Sequence, residues 1–79
     1  SEVAIKALEM ARDPTSSFHQ IERLILQDQV LTANVLRLAN SAYYALPRRV
    51  ATVSQVLSLL GLATFKKLVL QSFVYHIFA

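Results

Sequence analysis

Residues 28–44 constrain this chain more than any other stretch. Turned at about 100° per residue, Leu31, Val35, Leu38 and Ala42 fall in one line, with Ala39 beside them. Such a line is the apolar face of a helix, and it requires other elements to cover it. Arg37 and Asn40 fall across the helix from it. Asp28 stands at the start as an N-cap, because its carboxylate can accept a free N–H of the first turn. Asn40 and Ser41 close the helix with side chains able to bond backbone groups. Burying each large member of the line contributes roughly 1.5–3 kcal/mol. The other segments are therefore expected to pack around this helix.

Four of them have helical patterning. Residues 2–12 place Val3, Ala4, Ala7, Leu8 and Ala11 inward and Glu2, Lys6 and Glu9 outward. Asp13 and Pro14 stop that helix, since a residue before proline is pushed out of the α region. Ser17 then caps a second helix, with Gln20 as its capping-box partner. Phe18, Ile21, Leu24 and Ile25 form the buried side of this helix, and Glu22, at its edge, is expected to reach solvent or an arginine. After an irregular stretch from Tyr43 to Ala51, Thr52 and Gln55 repeat the capping box and open a fourth helix on Val53, Val56, Leu57 and Leu60. Gly61, the one glycine, sits where a C-cap takes a left-handed residue. A fifth helix runs from about Ala63. Its polar residues spread round the wheel among Phe65, Leu68, Val69, Leu70, Phe73, Val74, Ile77 and Phe78. A helix apolar nearly all round is expected to be buried. The reading is all-α, about five helices, one unit over residues 1–79.

Composition sharpens the point. A chain of 79 residues buries only about 60% of its unfolded surface. Yet 54% of these residues are hydrophobic and 16% charged. So small a body hides that much apolar surface poorly, which implies that a partner, a second copy through residues 63–79, or the rest of a larger domain covers some of it. Bilayer insertion is not expected, since the uncharged runs are short or dotted with Ser, Thr, Gln and His, against the roughly 20 apolar residues a span needs. Glu2 and Glu9 stand where a signal peptide needs a basic start and an apolar centre. The lack of cysteine fits a cytoplasmic protein and removes thiolate chemistry.

Charge is divided along the chain. All five acids lie in the first 28 residues, while Arg37, Arg48, Arg49, Lys66 and Lys67 follow with no acid among them. Most of these bases read as a solvated face that keeps an apolar body soluble. Arg37, Arg48 and Arg49 near Tyr43 and Tyr44 are also the candidate interaction residues, and they are the place where an acidic nucleotide would be held by charge and stacking. For the tyrosines themselves a structural use comes first.

Catalytic patterns do not emerge. His19 and His76 are far apart in sequence and neither adjoins an acid, so no metal cluster is expected. His19 reads as a solvent-facing helix residue and His76 as a polar spot on a buried helix. No serine has a recognisable base or elbow motif, and a single glycine excludes a phosphate-cradling loop. Gln55 to Leu70 has the rhythm of a helix-turn-helix around Gly61. Its second helix is too apolar for a groove reader, and Lys67 stands where a buried residue locks that motif, so nucleic-acid binding is not expected.

The order of residues does resemble a known family. Asp28, Leu31-Thr32-Ala33 and Val35-Leu36-Arg37-Leu38-Ala39-Asn40-Ser41-Ala42-Tyr43-Tyr44, then Pro47-Arg48, Val50, Ser54-Gln55-Val56 and Leu59-Leu60-Gly61, closely resemble the HDOD family, the HD-related output domains. The resemblance implies an all-α regulatory or scaffolding domain of bacterial signalling proteins. Such domains look like HD-type phosphohydrolases that lack the metal-binding His-Asp doublet. It further implies that these 79 residues are the amino-terminal part of a larger domain. Departures are Gln29 for a usual proline, Asn34 for a commonly basic residue, Ala45 for a common glycine, and Glu22 where small residues are frequent. Asn40 and Ser41 match the family's most recognisable pair and read as helix-end structure that fixes the following loop. The expected function is a non-enzymatic signalling module, without cofactor, that binds other signalling protein domains. A nucleotide sensor is the alternative and helix-turn-helix DNA binding ranks below it.

Overall fold

A computed structural model describes the backbone of residues 2–78 and the side chains through Val74. Among the described residues it is all-helical, with α1 at Glu2–Arg12, α2 at Phe18–Ile25, α3 at Gln29–Ala39 and α4 at Val53–Phe78. Gly61 interrupts α4 with φ 81 and ψ 169, so that two limbs, 53–60 and 62–78, pack as separate rods. The expected count of about five helices is this count with the broken helix taken as two. The positive φ at Gly61 is the one the sequence called for. Its ψ is extended rather than left-handed helical, a region that is essentially glycine's alone.

The starts of α2, α3 and α4 follow from local caps. Ser17 Oγ accepts from the Gln20 N–H at 3.2 Å, and Gln20 Oε1 accepts from the Ser17 N–H at 2.8 Å. Thr52 and Gln55 repeat this at 3.2 Å in both directions, and Gln55 Oε1 also takes the Ala51 N–H at 2.7 Å. Asp28 Oδ1 accepts from the Leu31 N–H at 3.0 Å. These bonds satisfy donors that a helix start leaves without intrahelical partners.

The core unites all the helices. Ala4, Ala7 and Ala11 of α1 let α2 and α4 approach closely, and Ile21, Ile25, Leu31, Val35, Val56, Phe65, Leu68 and Val69 fill the centre. Phe18 meets Phe65 edge-on with ring centroids 4.9 Å apart, a geometry that adds about 0.5–1.5 kcal/mol beyond area burial. The α3–α4 contact is the most extensive. The Cα radius of gyration is 11.3 Å, against about 11.6 Å for a compact chain of this length. The helices thus close on one another rather than splaying.

Several expectations change in the folded chain. The central helix ends at Ala39, so Ala42 leaves the apolar line and is exposed, while Leu38 is half-buried. Asn40 does not face away from the core but turns toward Val50. Glu22 keeps part of its side chain in solvent, as expected, and among the described residues its partner is not an arginine: its carboxylate accepts from Ser54 Oγ at 3.2 Å and lies 3.4 Å from Nδ1 of the exposed His19. The second limb of α4 is not buried all round. Phe65, Leu68, Val69 and Ser72 face the core, with Ser72 Oγ donating to the Leu68 carbonyl at 2.7 Å, whereas Leu62, Lys67, Gln71 and Val74 are exposed. The side chains of His76, Ile77 and Phe78 lie outside the described residues.

Candidate functional site

The loop between α3 and α4 carries most of the residues singled out in the sequence, and Asn40 organises it. α3 stops because Asn40, at φ −82 and ψ 0, sends its N–H back to Leu36 and Leu38 while its side chain leaves the helix. Nδ2 donates to the Val50 carbonyl at 2.9 Å, and Oδ1 accepts from the Val50 N–H at 2.7 Å. One amide side chain therefore satisfies both backbone groups of a residue ten positions ahead, as a neighbouring strand would. Ser41 acts through its backbone: its N–H donates to the Leu38 carbonyl at 3.1 Å and its carbonyl accepts from the Tyr44 N–H at 3.2 Å.

Three side chains anchor the loop from within. Val50 is buried, and Tyr44 and Leu46 pack against the core. Ala45, between the latter two, has φ 49, a left-handed conformation that costs a side chain with a Cβ about 1–2 kcal/mol. Its neighbours' anchorage holds it there. The common glycine of the resembling family at this position has its physical reason in that φ. Tyr43 stands almost fully in solvent, at 87% exposure, and meets Tyr44 edge-on at 4.9 Å. Loss of hydration, with a smaller contribution from Tyr43, raises the Tyr44 phenol above its ordinary 10.0.

Two open clefts lie on either side of Asn40. One, of about 310 Å³, is lined by Asn40, Leu46, Pro47, Arg48 and Arg49. The other, of about 340 Å³, is lined by Ala33, Leu36, Arg37, Asn40, Arg49, Val50 and Ala51. Asn40 and Arg49 belong to both, so the clefts share a wall. Arg37 is oriented by Asn34, whose Oδ1 accepts from Nη2 at 2.6 Å. The structure thus brings Arg37, Arg48 and Arg49 together around Asn40. Tyr43 and Tyr44 line neither cleft, so the expected pairing of arginine charge with aromatic stacking is not assembled there. Asp28 caps the far end of α3 and Gly61 shapes α4; both serve the fold.

Two contributors escaped the sequence reading. Asn34 is nearly buried and aims Arg37, and Val50 is the loop's anchor. The Leu31-to-Leu38 apolar spacing hid Asn34, which lies beside that line rather than across from it. Lys66, read as a surface base, donates through Nζ to the Asp13 carbonyl at 2.9 Å and ties α4 to the α1–α2 turn. Among the described residues no three His, Asp or Glu side chains converge.

Comparison with curated proteins finds no match, and comparison with solved structures finds none either. The family model of the HDOD domain matches residues 1–79, a span that includes Asn40 and Val50. On that match the chain belongs to the HDOD domain family.

Proposed function

We propose that this chain is a non-catalytic output or regulatory module of bacterial signal transduction that acts in the cytoplasm by docking other protein domains. The observation that carries the reading is where the folded chain leaves its large apolar side chains. Leu59 and Leu62 flank the Gly61 kink in the open, Val74 is 54% exposed farther along, and Tyr43 projects from the loop. Contiguous apolar surface marks a face that a partner covers, and Leu59 and Leu62, three positions apart beside one kink, are read here as the start of such a face. The arrangement at Asn40 supports the same reading, since its side chain is committed to both backbone groups of Val50.

Other readings draw less support. Val53–Val74 is long and apolar enough to cross a membrane by length and composition. Against this stand the break at Gly61, the Lys66 bond to Asp13 and the closure of the second limb on Phe18 and its neighbours. For helix-turn-helix binding, the second limb offers Lys67 and Gln71 among its exposed residues, while Lys66 is engaged within the fold. A groove-reading helix needs a broader polar face.

The test is site-specific photo-crosslinking in cells that express the protein natively, with the photoreactive residue placed at Tyr43, Leu59, Leu62 or Val74. Adducts with another signalling protein, from one face and not from all, are expected. No protein adduct from any of the four positions would refute docking. Bound metal in stoichiometric amount in the purified protein, together with turnover of a phosphodiester, would replace it with an enzyme.

A further inference from the structure

The geometry points to the paired clefts around Asn40 as the seat of an acidic, partly apolar segment of a partner protein, gripped by Arg37, Arg48 and Arg49. This rests on the docking reading above and names the face and the chemistry which that reading leaves open.

Charge is the first argument. No acid follows Asp28 in the sequence, so Arg48 and Arg49 have no carboxylate side chain near them along the chain. Arg48 and Arg49 are exposed and form no ion pair among the described residues. An arginine fork matches a carboxylate with two parallel hydrogen bonds, which makes a planar acid its natural complement.

Shape decides between the acidic occupants. Both clefts are open troughs of about 310 and 340 Å³. A small-molecule site encloses roughly 70–90% of its ligand, usually against aromatic walls. Here no aromatic residue lines either trough, so a nucleotide base finds no stacking surface. The apolar lining is aliphatic instead: Leu36 and Ala33 on one side, Leu46 and Pro47 on the other. Carboxylates interleaved with small apolar side chains fit such walls. Exposed Tyr43 stands on the same loop, and tyrosine and arginine are the residue types enriched in the energetic centres of protein interfaces.

The loop is also fixed before anything binds. The two Asn40–Val50 bonds and the core anchors Tyr44, Leu46 and Val50 hold its backbone, so docking costs little ordering entropy.

The test is a titration of the isotopically labelled chain with a synthetic peptide of Glu, Leu and Ala, followed by backbone amide shifts. A peptide with Gln for Glu, one with Lys for Glu, and cyclic di-GMP are run beside it. The acidic peptide is expected to move the amides of Arg37, Arg48, Arg49 and Val50. R48E/R49E should weaken it by about tenfold or more, the scale expected for losing charge-assisted contacts. The same variant should gain affinity for the Lys peptide, which also shows that it is folded. Equal binding of the Gln peptide, or no response at the loop, overturns the proposal. So does cyclic di-GMP moving these amides while the acidic peptide does not. Shifts confined to Leu59, Leu62 and Val74 overturn it too while leaving protein docking intact, whereas crosslinking that fails at every position removes docking itself.

Discussion

Replacing Asn40 by alanine tests the core of the structural argument. The side chain makes two hydrogen bonds to Val50, at 2.9 and 2.7 Å, and Val50 is only 2% exposed. Each bond contributes about 0.5–1.5 kcal/mol net, and a buried group left unpaired costs about 1–3 kcal/mol. The loop can shift to admit water, which limits the loss for Asn40→Ala to about 2–3 kcal/mol. A chain of 79 residues has about 4–12 kcal/mol in all, so the loss is a large fraction of it. The expected fall in Tm is about 10–20 °C. Thermal unfolding followed by far-ultraviolet circular dichroism measures it, and hydrogen exchange at the Val50 amide localises it. Asn40→Asp keeps an acceptor for the Val50 N–H but faces the Val50 carbonyl with no donor, so it should also destabilise. If Asn40→Ala melts within about 2 °C of the parent, well under the shift for 1 kcal/mol, or if the Val50 amide stays protected, the pin is not what holds this loop.

Three further outcomes follow from other positions. Gly61→Ala meets no atom within 4 Å of the new Cβ, yet φ 81 with ψ 169 strains any side chain, so a loss of about 1–3 kcal/mol is expected in denaturant titration. Ala45→Gly removes the Cβ penalty at φ 49 but loosens the unfolded chain; the net is a gain of up to about 1 kcal/mol, and a lowered melting temperature would contradict it. The Asp13 carboxylate accepts from Oγ1 and the N–H of Thr15, at 2.7 and 2.8 Å, and these bonds hold its pKa below 3.8. A lowered folded pKa stabilises above the unfolded value and is lost as pH falls through the folded one. The melting temperature of Asp13→Asn should therefore approach that of the parent as pH drops below 3.8, and a gap unchanged down to pH about 2 would count against this linkage.

The sequence by itself determined the local features: the boundaries of α1, the capping boxes at Ser17 and Thr52, the Asp28 cap, the break at Gly61 and most of the buried positions. Each is written within a few residues, because a cap bonds three positions on and a helical face repeats every three or four. The family was legible too, since the residues that carry the resemblance sit together between Asp28 and Gly61, and the family model matches the chain. The tertiary structure alone decided what depends on distant partners. Asn40 closes α3 where its place in the sequence implied, but only the fold hands its side chain to Val50, ten residues ahead, and leaves Ala42 off the apolar line. Glu22 meets Ser54 across 32 positions, and Lys66 reaches Asp13 across 53. The gathering of Arg37, Arg48 and Arg49, and the parting of the tyrosines from them, follow from how the pinned loop folds back on α3. Hydrophobic periodicity says which face of a helix turns inward, but carries no record of which other helix it will meet or where the cover runs out. That is why the second limb of α4 was legible as a helix and not as one with an open side.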